Sequence, residues 1–393
     1  MEVFKYNASR VNRINSFMKE LLDIKDTFEK VSVYKKYEKD ILELNPIDIF
    51  YLDFYRDDTS LSISEIKDSA NRFVNVFHKG ITKFRINNPH PIFKELLSES
   101  KRIENHLAKI KPLYQRGLIL NNREELLKIF ERCFDFKLKF EKFQNIIFSE
   151  MEKVAPSKKP LEVLWELHDD SETLLKHIIS MIKDDFTEED ELIKAIGNYH
   201  YLIFGINQKE EIILLPVMSQ LLEVDVLDKM YNECINLGFV FSNKKLERIE
   251  NKENNLNSLD NKFVSKTGQM SIKQLILMLN HLPFDITYVD EFDKVLYYND
   301  SKKRHFPRTP AVIGRLVKNC HPPKSVHIVE GIIEDFKNNI KDYEDFWINF
   351  KGDTLYIAYY AVRDEDGNYK GVLEVSQNIT KFKELEGEKR LRD

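Results

Sequence analysis

The segment Asn319-Cys320-His321-Pro322-Pro323-Lys324-Ser325 sets a thiol beside an imidazole, ahead of two prolines. Those residue types can ligate haem or an ion, and a thiol can report redox state. The same residues also have a purely local reading. Pro322 and Pro323 hold φ at about −65° and favour the first turn of a helix, while Pro322 keeps His321 out of the α region. Adjacent side chains of an extended segment alternate, so Cys320 and His321 are not expected to face the same way. A lone Cys-His pair is a weak motif, and the local role leads. Other polar handles lie nearby. Arg315 suits an anionic group, and Tyr288, Tyr297, Tyr356 and Tyr359 fall in strand patterns whose alternate positions share a sheet face. The candidate ligand-binding set is Cys320, His321, Arg315, Tyr288 and Tyr359, with His327 a further candidate and His305 expected to be exposed. No nucleophilic triad or carboxylate pair emerges. The acids of Thr187-Glu188-Glu189-Asp190-Glu191-Leu192 read as a helix start, where negative charge suits the dipole. No catalytic residue is assigned and no enzymatic activity is expected.

These residues need elements to position them. Around the Cys-His pair, Asp285 to Asn299 reads as two short strands about an Asp-Glu-Phe-Asp turn. A helix over 324–338 buries Val329, Ile332, Ile333 and Phe336, and three more strands follow, two of them joined through Asp366-Gly367. That order is an α+β domain over 266–393, ending in a charged helix from Lys381. Residues 241–265 are charged and Asn-rich, and read as a linker, helical in part. Upstream, 85–240 carries four amphipathic helical patterns, the first with Phe93, Leu96, Leu97, Ile103, Leu107 and Ile110 on one stripe, which fits an antiparallel four-helix bundle. Residues 1–82 are helical too. Asn45 caps a helix starting at Pro46, and Ser62 with Glu65 has the spacing of a capping box. His78, beside Phe77, is expected to pack, and His106 and His177 to be packing or surface residues.

Composition narrows the classes. At 393 residues the chain is long enough for two or three domains. Its 60 basic and 65 acidic residues are interleaved, so no basic excess points to nucleic acid. The three cysteines are far apart and odd in number, which argues against a disulfide framework or a zinc module. No stretch reaches the roughly 18 apolar residues that a membrane span needs, and the N-terminus lacks a leader-like apolar run. A cytoplasmic protein is expected.

The stretches "LPFDITYVDEFDKVLYY", "FPRTPAVIGRLVKNCHPPKSVHIVEGIIEDF", "FWINFKGDTLYIAYYAVRDEDGNYKGVLEVSQNIT" and "LEGEKRL" resemble the PAS domain of a three-part bacterial and archaeal family. In that family a helical domain of unknown function precedes a hemerythrin-like four-helix domain and a PAS domain. "PHPIFKELL", "LWELHDDSE" and "KEEIILLPVM" resemble landmarks of the hemerythrin-like part. The implied fold is multidomain: all-α N-terminal helices and a four-helix bundle, then an α+β PAS domain with an antiparallel sheet.

The resemblance implies two irons held by histidines and carboxylates on four helices. The matching residues are His90, His168, Glu172, Glu210 and Glu211, and His168 and Glu172 share a helix face at a four-residue spacing. The chain departs from the pattern where Lys139, Gln144, Ile206 and Asn207 stand in expected ligand positions. Lysine is cationic and would repel an iron pair. His200 stands ten residues before Glu210, too far to share an ion on an unbroken helix. The set His90, His168 and Glu172 would hold one ion weakly. The expected function is a signal sensor for redox state, O₂ or a small molecule, with haem or a small molecule as alternative PAS ligands. Output would pass through a protein partner or a homo-oligomer, using the PAS domain and the C-terminal helix. The alternatives are a di-iron protein or enzyme handling O₂, peroxide or nitric oxide, and a ligand-free scaffold.

Overall fold

A computed structural model describes residues 5–24, 27–56, 60–84, 86, 88–113, 117, 119–249, 262–301 and 304–388. The chain forms two compact units, residues 1–250 and 251–393.

The first unit is helical. It opens with α1 (Ala8–Asp23), α2 (Thr27–Glu43), α3 (Pro46–Ile49) and α4 (Ile63–Ile81). The local signals act as their chemistry dictates. Asn45 accepts from the N–H groups of Ile47 and Asp48 ahead of Pro46, and Ser62 and Glu65 form a reciprocal capping box. Helices α2 and α4 approach closely at Gly80, where a Cβ would stand 2.1 Å from the carbonyl oxygen of Ile41. His78 is exposed on α4 rather than packed, because the buried stripe of that helix runs through Ile66, Ala70, Phe77 and Ile81.

Long helical rods follow. The first is α5 (Pro91–Leu107). The second runs through α6 (Arg123–Arg132), a 3₁₀ turn, α7 (Lys137–Lys142), a π turn at Phe143–Ile147 and α8 (Phe148–Val154). The third is α9 (Lys159–Lys183). The fourth is α10 (Glu189–Lys209), which continues through a π turn at Glu210–Leu214 into α11 (Leu215–Leu221); α12 (Val224–Leu237) comes after. Helix α10 passes Gly205 unbroken. The predicted stripe on α5 is buried, with Leu97 partly so, and one continuous apolar core extends from Val11 through Phe77, Phe130 and Ile203 to Val240.

The second unit begins with a hairpin of β1 (Lys262–Ser265) and β2 (Gly268–Ser271) and with α13 (Ile272–Asn280). The proposed linker therefore ends earlier than residue 265. Its described part, 241–249, is non-helical and is tied back by paired hydrogen bonds between Asn232 and Ile249; residues 250–261 lie outside the described set. Next come β3 (Asp285–Asp290), β4 (Val295–Tyr298), α14 (Pro323–Lys337), β5 (Tyr343–Phe350), β6 (Asp353–Arg363) and β7 (Tyr369–Asn378). These form an antiparallel sheet in the order β4-β3-β7-β6-β5. The Asp366-Gly367 turn forms as expected: Gly367 takes φ +82°, and the Asp364 carboxylate accepts from the N–H groups of Asp366 and Asn368. Helix α14 buries Val329, Ile333 and Phe336 against Val289, Leu355, Ile357 and Val372. The charged helix expected from Lys381 is only a 3₁₀ turn, Lys381–Glu384. Gly387 adopts φ +64° just beyond it, a left-handed conformation that does not continue a helix; residues 389–393 lie outside the described set.

The chain is thus a multidomain protein, an N-terminal α-helical region followed by an α+β domain with an antiparallel sheet.

Candidate functional site

Two clusters of buried polar residues stand out, one in each unit. In the helical unit every long rod contributes to the first. Lys139 on α7 donates to Ser100 Oγ on α5 at 2.9 Å and to Asn207 Oδ1 on α10 at 2.6 Å, and its ammonium lies 2.6 Å from Glu210 Oε2. Glu210 also takes His168 Nε2 of α9 at 3.2 Å. Lys139, His168, Asn207 and Glu210 are all essentially inaccessible to water. Burial works to raise the Glu210 carboxyl, but the Lys139 ammonium and His168 outweigh it and hold it below the usual range. Burial lowers the His168 ring against the pull of Glu210, so a neutral imidazole donates its Nε2–H to the carboxylate. The ring stacks on Phe140 at 4.3 Å, with Phe143 and Phe148 around it.

A second buried pair lies one turn along α7. Lys142 meets Glu99 Oε1 at 2.8 Å and the carbonyl of Gly238 at 2.8 Å, and Glu99 accepts the Val240 N–H at 2.6 Å. Burial lowers the Lys142 ammonium, opposed by Glu99.

The proposed metal ligands do not converge. His90 caps α5 and bonds Asp228 at 3.0 Å. Glu172 is half-buried and pairs with Lys176 at 2.8 Å. His200 bonds the carbonyls of Ile196 and Leu107. Glu211 follows Glu210 in the π turn, and burial raises its carboxyl against the pull of Lys139 and Ser100. Only His168 and Glu210 meet, and the lysine ammonium fills the place beside them. Among the described residues no three His, Cys, Asp or Glu side chains group so as to hold an ion. This donor set does not fit an iron pair.

The second cluster lies on the inner, helix-covered face of the sheet. Strand pairing aligns Tyr298, Thr287, Glu374, Tyr359 and Glu344 in one row across it. Above the row, Arg308 reaches Glu374 at 3.5 Å with both side chains nearly buried, and Arg308 Nε has no partner. Arg304 is held by Thr287, Asn299 and Phe306. Arg315 is buried. His321 lies within the fields of Glu374, Arg308 and Arg315, and burial pushes its ring down to about 4. Burial likewise raises the Tyr359 phenol.

The Cys-His segment is both turn and wall. Pro322 is the cap and Pro323 the first residue of α14, with His321 extended at φ −122°. Cys320 does not lie in an extended stretch. It closes a 3₁₀ turn, Val317–Cys320, and packs on the sheet core. Strand alternation therefore does not separate it from His321, and both sit at the inner face. Tyr288 departs from the proposed set: it pairs with Tyr297 on the opposite face and donates to the Lys370 carbonyl at 2.6 Å. Its neighbour Thr287 faces inward instead. His305 is half-buried rather than exposed.

Reading the sequence missed Arg308, Glu374, Lys142 and Glu99. The signals were a glutamate inside the apolar run Val372-Leu373-Glu374-Val375, and lysines 139 and 142 on the stripe with Phe143 and Ile146.

A PAS-domain model matches residues 275–380. This chain is a PAS-domain protein. A solved C-terminal domain from Streptococcus mutans is 39% identical, with 33% of this chain and 99% of that one covered and a TM-score of 0.31. The PAS domain of a Colwellia psychrerythraea protein is 19% identical over 28% of this chain and 98% of its own, TM-score 0.22. The PAS domain of Bordetella pertussis BvgS is 20% identical over 29% and 89%, TM-score 0.24. No curated protein matches. The PAS match contains the whole inner-face cluster from Thr287 to Glu374. Among the described residues, no helix is long and apolar enough to cross a membrane.

Proposed function

We propose that the protein is a signal sensor whose PAS domain holds a small anionic ligand on the inner sheet face, between Arg308, His321 and Tyr359. The observation that carries this reading is the Arg308–Glu374 pair. A nearly buried guanidinium keeps Nε unpartnered and reaches Glu374 only at the limit of hydrogen bonding. Such a group is costly unless a further acceptor meets it. A carboxylate or phosphate would do so, with Arg315 and His321 beside it. Cys320 stands at the edge of the same face, where a redox signal would reach it.

We further propose that residues 85–240 are a hemerythrin-like four-helix domain in which Lys139 has taken over the role of a bound cation, with 1–82 as a helical domain of unknown function that shares its core and a linker before the PAS domain. The network drawn from all the rods around Lys139 supports this. Output would pass through a protein partner or a second copy, and the exposed aromatics Tyr343, Trp347 and Tyr360 on the outer sheet face suit such a contact. A cytoplasmic location fits this role. The test is native mass spectrometry and an absorption spectrum of the full chain purified with iron and haem supplied. A co-purifying small anion that Arg308→Gln releases supports the reading. Two irons per chain, or a ligand retained unchanged by Arg308→Gln, would overturn it.

A further inference from the structure

A cleft of about 440 Å³ opens in the helical unit between α4, α5 and α10. It lies outside the PAS face and borders the Lys139 network, which it meets through Asn207 and Glu104. Its charged and polar lining includes Lys209, Glu211, Glu104, His78 and Gln208, and its apolar lining includes Phe204 and Ile212. Volumes of this size hold small organic molecules.

Lys209 is the unusual member. Only 7% of it is exposed. Its stem lies among Ile49, Tyr55, Phe77 and Ile213. Among the described residues its ammonium makes a single hydrogen bond, to the Gly205 carbonyl at 3.4 Å, and has no carboxylate within ion-pair distance. This contrasts with Lys139 and Lys142, each buried against its own glutamate. Gly205 is part of the arrangement. A Cβ there would stand 3.6 Å from the Lys209 Nζ, in van der Waals contact with the ammonium.

The carboxylates are also present in the cleft, but apart from the lysine. Glu211 and Glu104 line it without reaching Nζ. Glu104 is held by Lys101 at 3.1 Å and by Asn207 at 3.5 Å. A simple anion would meet Lys209 but be repelled by two acids. A simple cation would meet the acids but be repelled by Lys209. A molecule carrying both charges satisfies each.

We propose that this cleft binds a small zwitterion of the amino-acid class. Its carboxylate pairs with Lys209, its ammonium faces Glu211 and Glu104, and its body lies against Phe204, Tyr201 and Ile212. Tyr201 and Phe204 are exposed at the rim, where such a body would cover them.

The test is isothermal titration calorimetry of the full chain against each of the common L-amino acids, with acetate and butylamine as half-probes. At least one amino acid should bind, at least tenfold more tightly than either half-probe. Lys209→Met keeps the apolar stem and should weaken that binding at least tenfold. Glu211→Gln should reduce the preference for the amino acid over acetate, and it keeps the test decisive if Lys209→Met does not fold. No heat from any amino acid at millimolar concentration overturns the proposal. So does wild-type affinity in Lys209→Met, or an unchanged preference in Glu211→Gln.

Discussion

The two buried charge clusters are built from similar residues but are closed to different degrees. In the helical core Lys139 meets Ser100, Asn207 and Glu210, and His168 meets Glu210 from the other side. One ring atom, His168 Nδ1, is left without a hydrogen-bond partner, and the rings of Phe140, Phe143 and Phe148 pack around the imidazole. On the inner sheet face Arg308 touches Glu374 only at 3.5 Å and keeps Nε open. Low dielectric strengthens both clusters, but with different results. A saturated network fixes helices against one another, whereas an unsaturated one leaves interaction energy for a ligand. A histidine and glutamate at positions that only a resemblance marks out are therefore weaker evidence of a site than an incompletely paired buried arginine outside any expected set.

The sharpest way to break that contrast is to open the closed cluster. Lys139→Met leaves the Glu210 carboxylate buried without its cation, and should cost about 3–5 kcal/mol of stability. Chemical denaturation of the full chain, followed by far-UV circular dichroism, reads it. Glu210→Gln added to Lys139→Met should recover part of the loss, since the stranded charge is gone. A loss below about 1 kcal/mol in the single variant would mean that the network is not closed.

The next effect lies in the frame of the open cluster. A Cβ at Gly371 would stand 2.0 Å from the Val289 carbonyl oxygen, on a backbone at φ +137°. Gly371→Ala should cost about 2–4 kcal/mol, through the clash and the strained dihedral together. Hydrogen exchange should report the loss in β3 and β7 and leave the helical unit protected. Uniform loss of protection in both units would contradict the division of the chain.

How far the sequence reached differs between the clusters for the same physical reason. Periodicity and caps are local, so the stripe on α5, the boxes at Asn45 and Ser62, the strands about Asp290 and the start of α14 at the prolines were all legible. The hairpin of β1 and β2 was not, because four-residue strands with exposed side chains carry no hydrophobic alternation. Which residues meet across elements was harder still. The departure at Lys139 was visible as a ligand lost, but not as a cation gained, since Ser100, Asn207 and Glu210 are remote in sequence. Tyr288 was assigned to the ligand face because strand alternation gives two faces without saying which is inner. Burial of its neighbours Thr287 and Val289 on the core side settles that.

A smaller effect follows from His321. Burial holds its ring at about 4 in the folded chain, against an ordinary 6.5. As pH falls through the ordinary value, the unfolded chain takes up a proton that the folded chain refuses. The contribution is thus fully present above about pH 6.5, is lost progressively towards pH 4, and is constant below that. Because the ring is half-buried, the loss should be about 2 kcal/mol after solvent screening. Stability curves of the wild type and His321→Gln, taken at intervals from pH 7.5 to 4, should converge as pH falls. Parallel curves would place His321 in solvent and remove it from the inner face.

The smallest effect is the most discriminating. Tyr288 and Tyr359 are both strand tyrosines of one sheet, but they stand on opposite faces. Tyr288→Phe removes one hydrogen bond, to the Lys370 carbonyl, and should cost about 0.5–1.5 kcal/mol without changing retention of an inner-face ligand. Tyr359→Phe keeps the ring that packs in the sheet core and removes only the hydroxyl beside Glu374 and Arg308, so ligand retention should fall while stability changes little. The two variants differ from the wild type by one oxygen atom each, so bulk and apolar packing are constant between them. A larger ligand loss in Tyr288→Phe than in Tyr359→Phe would move the binding site to the outer face and return Arg308 to a purely structural role.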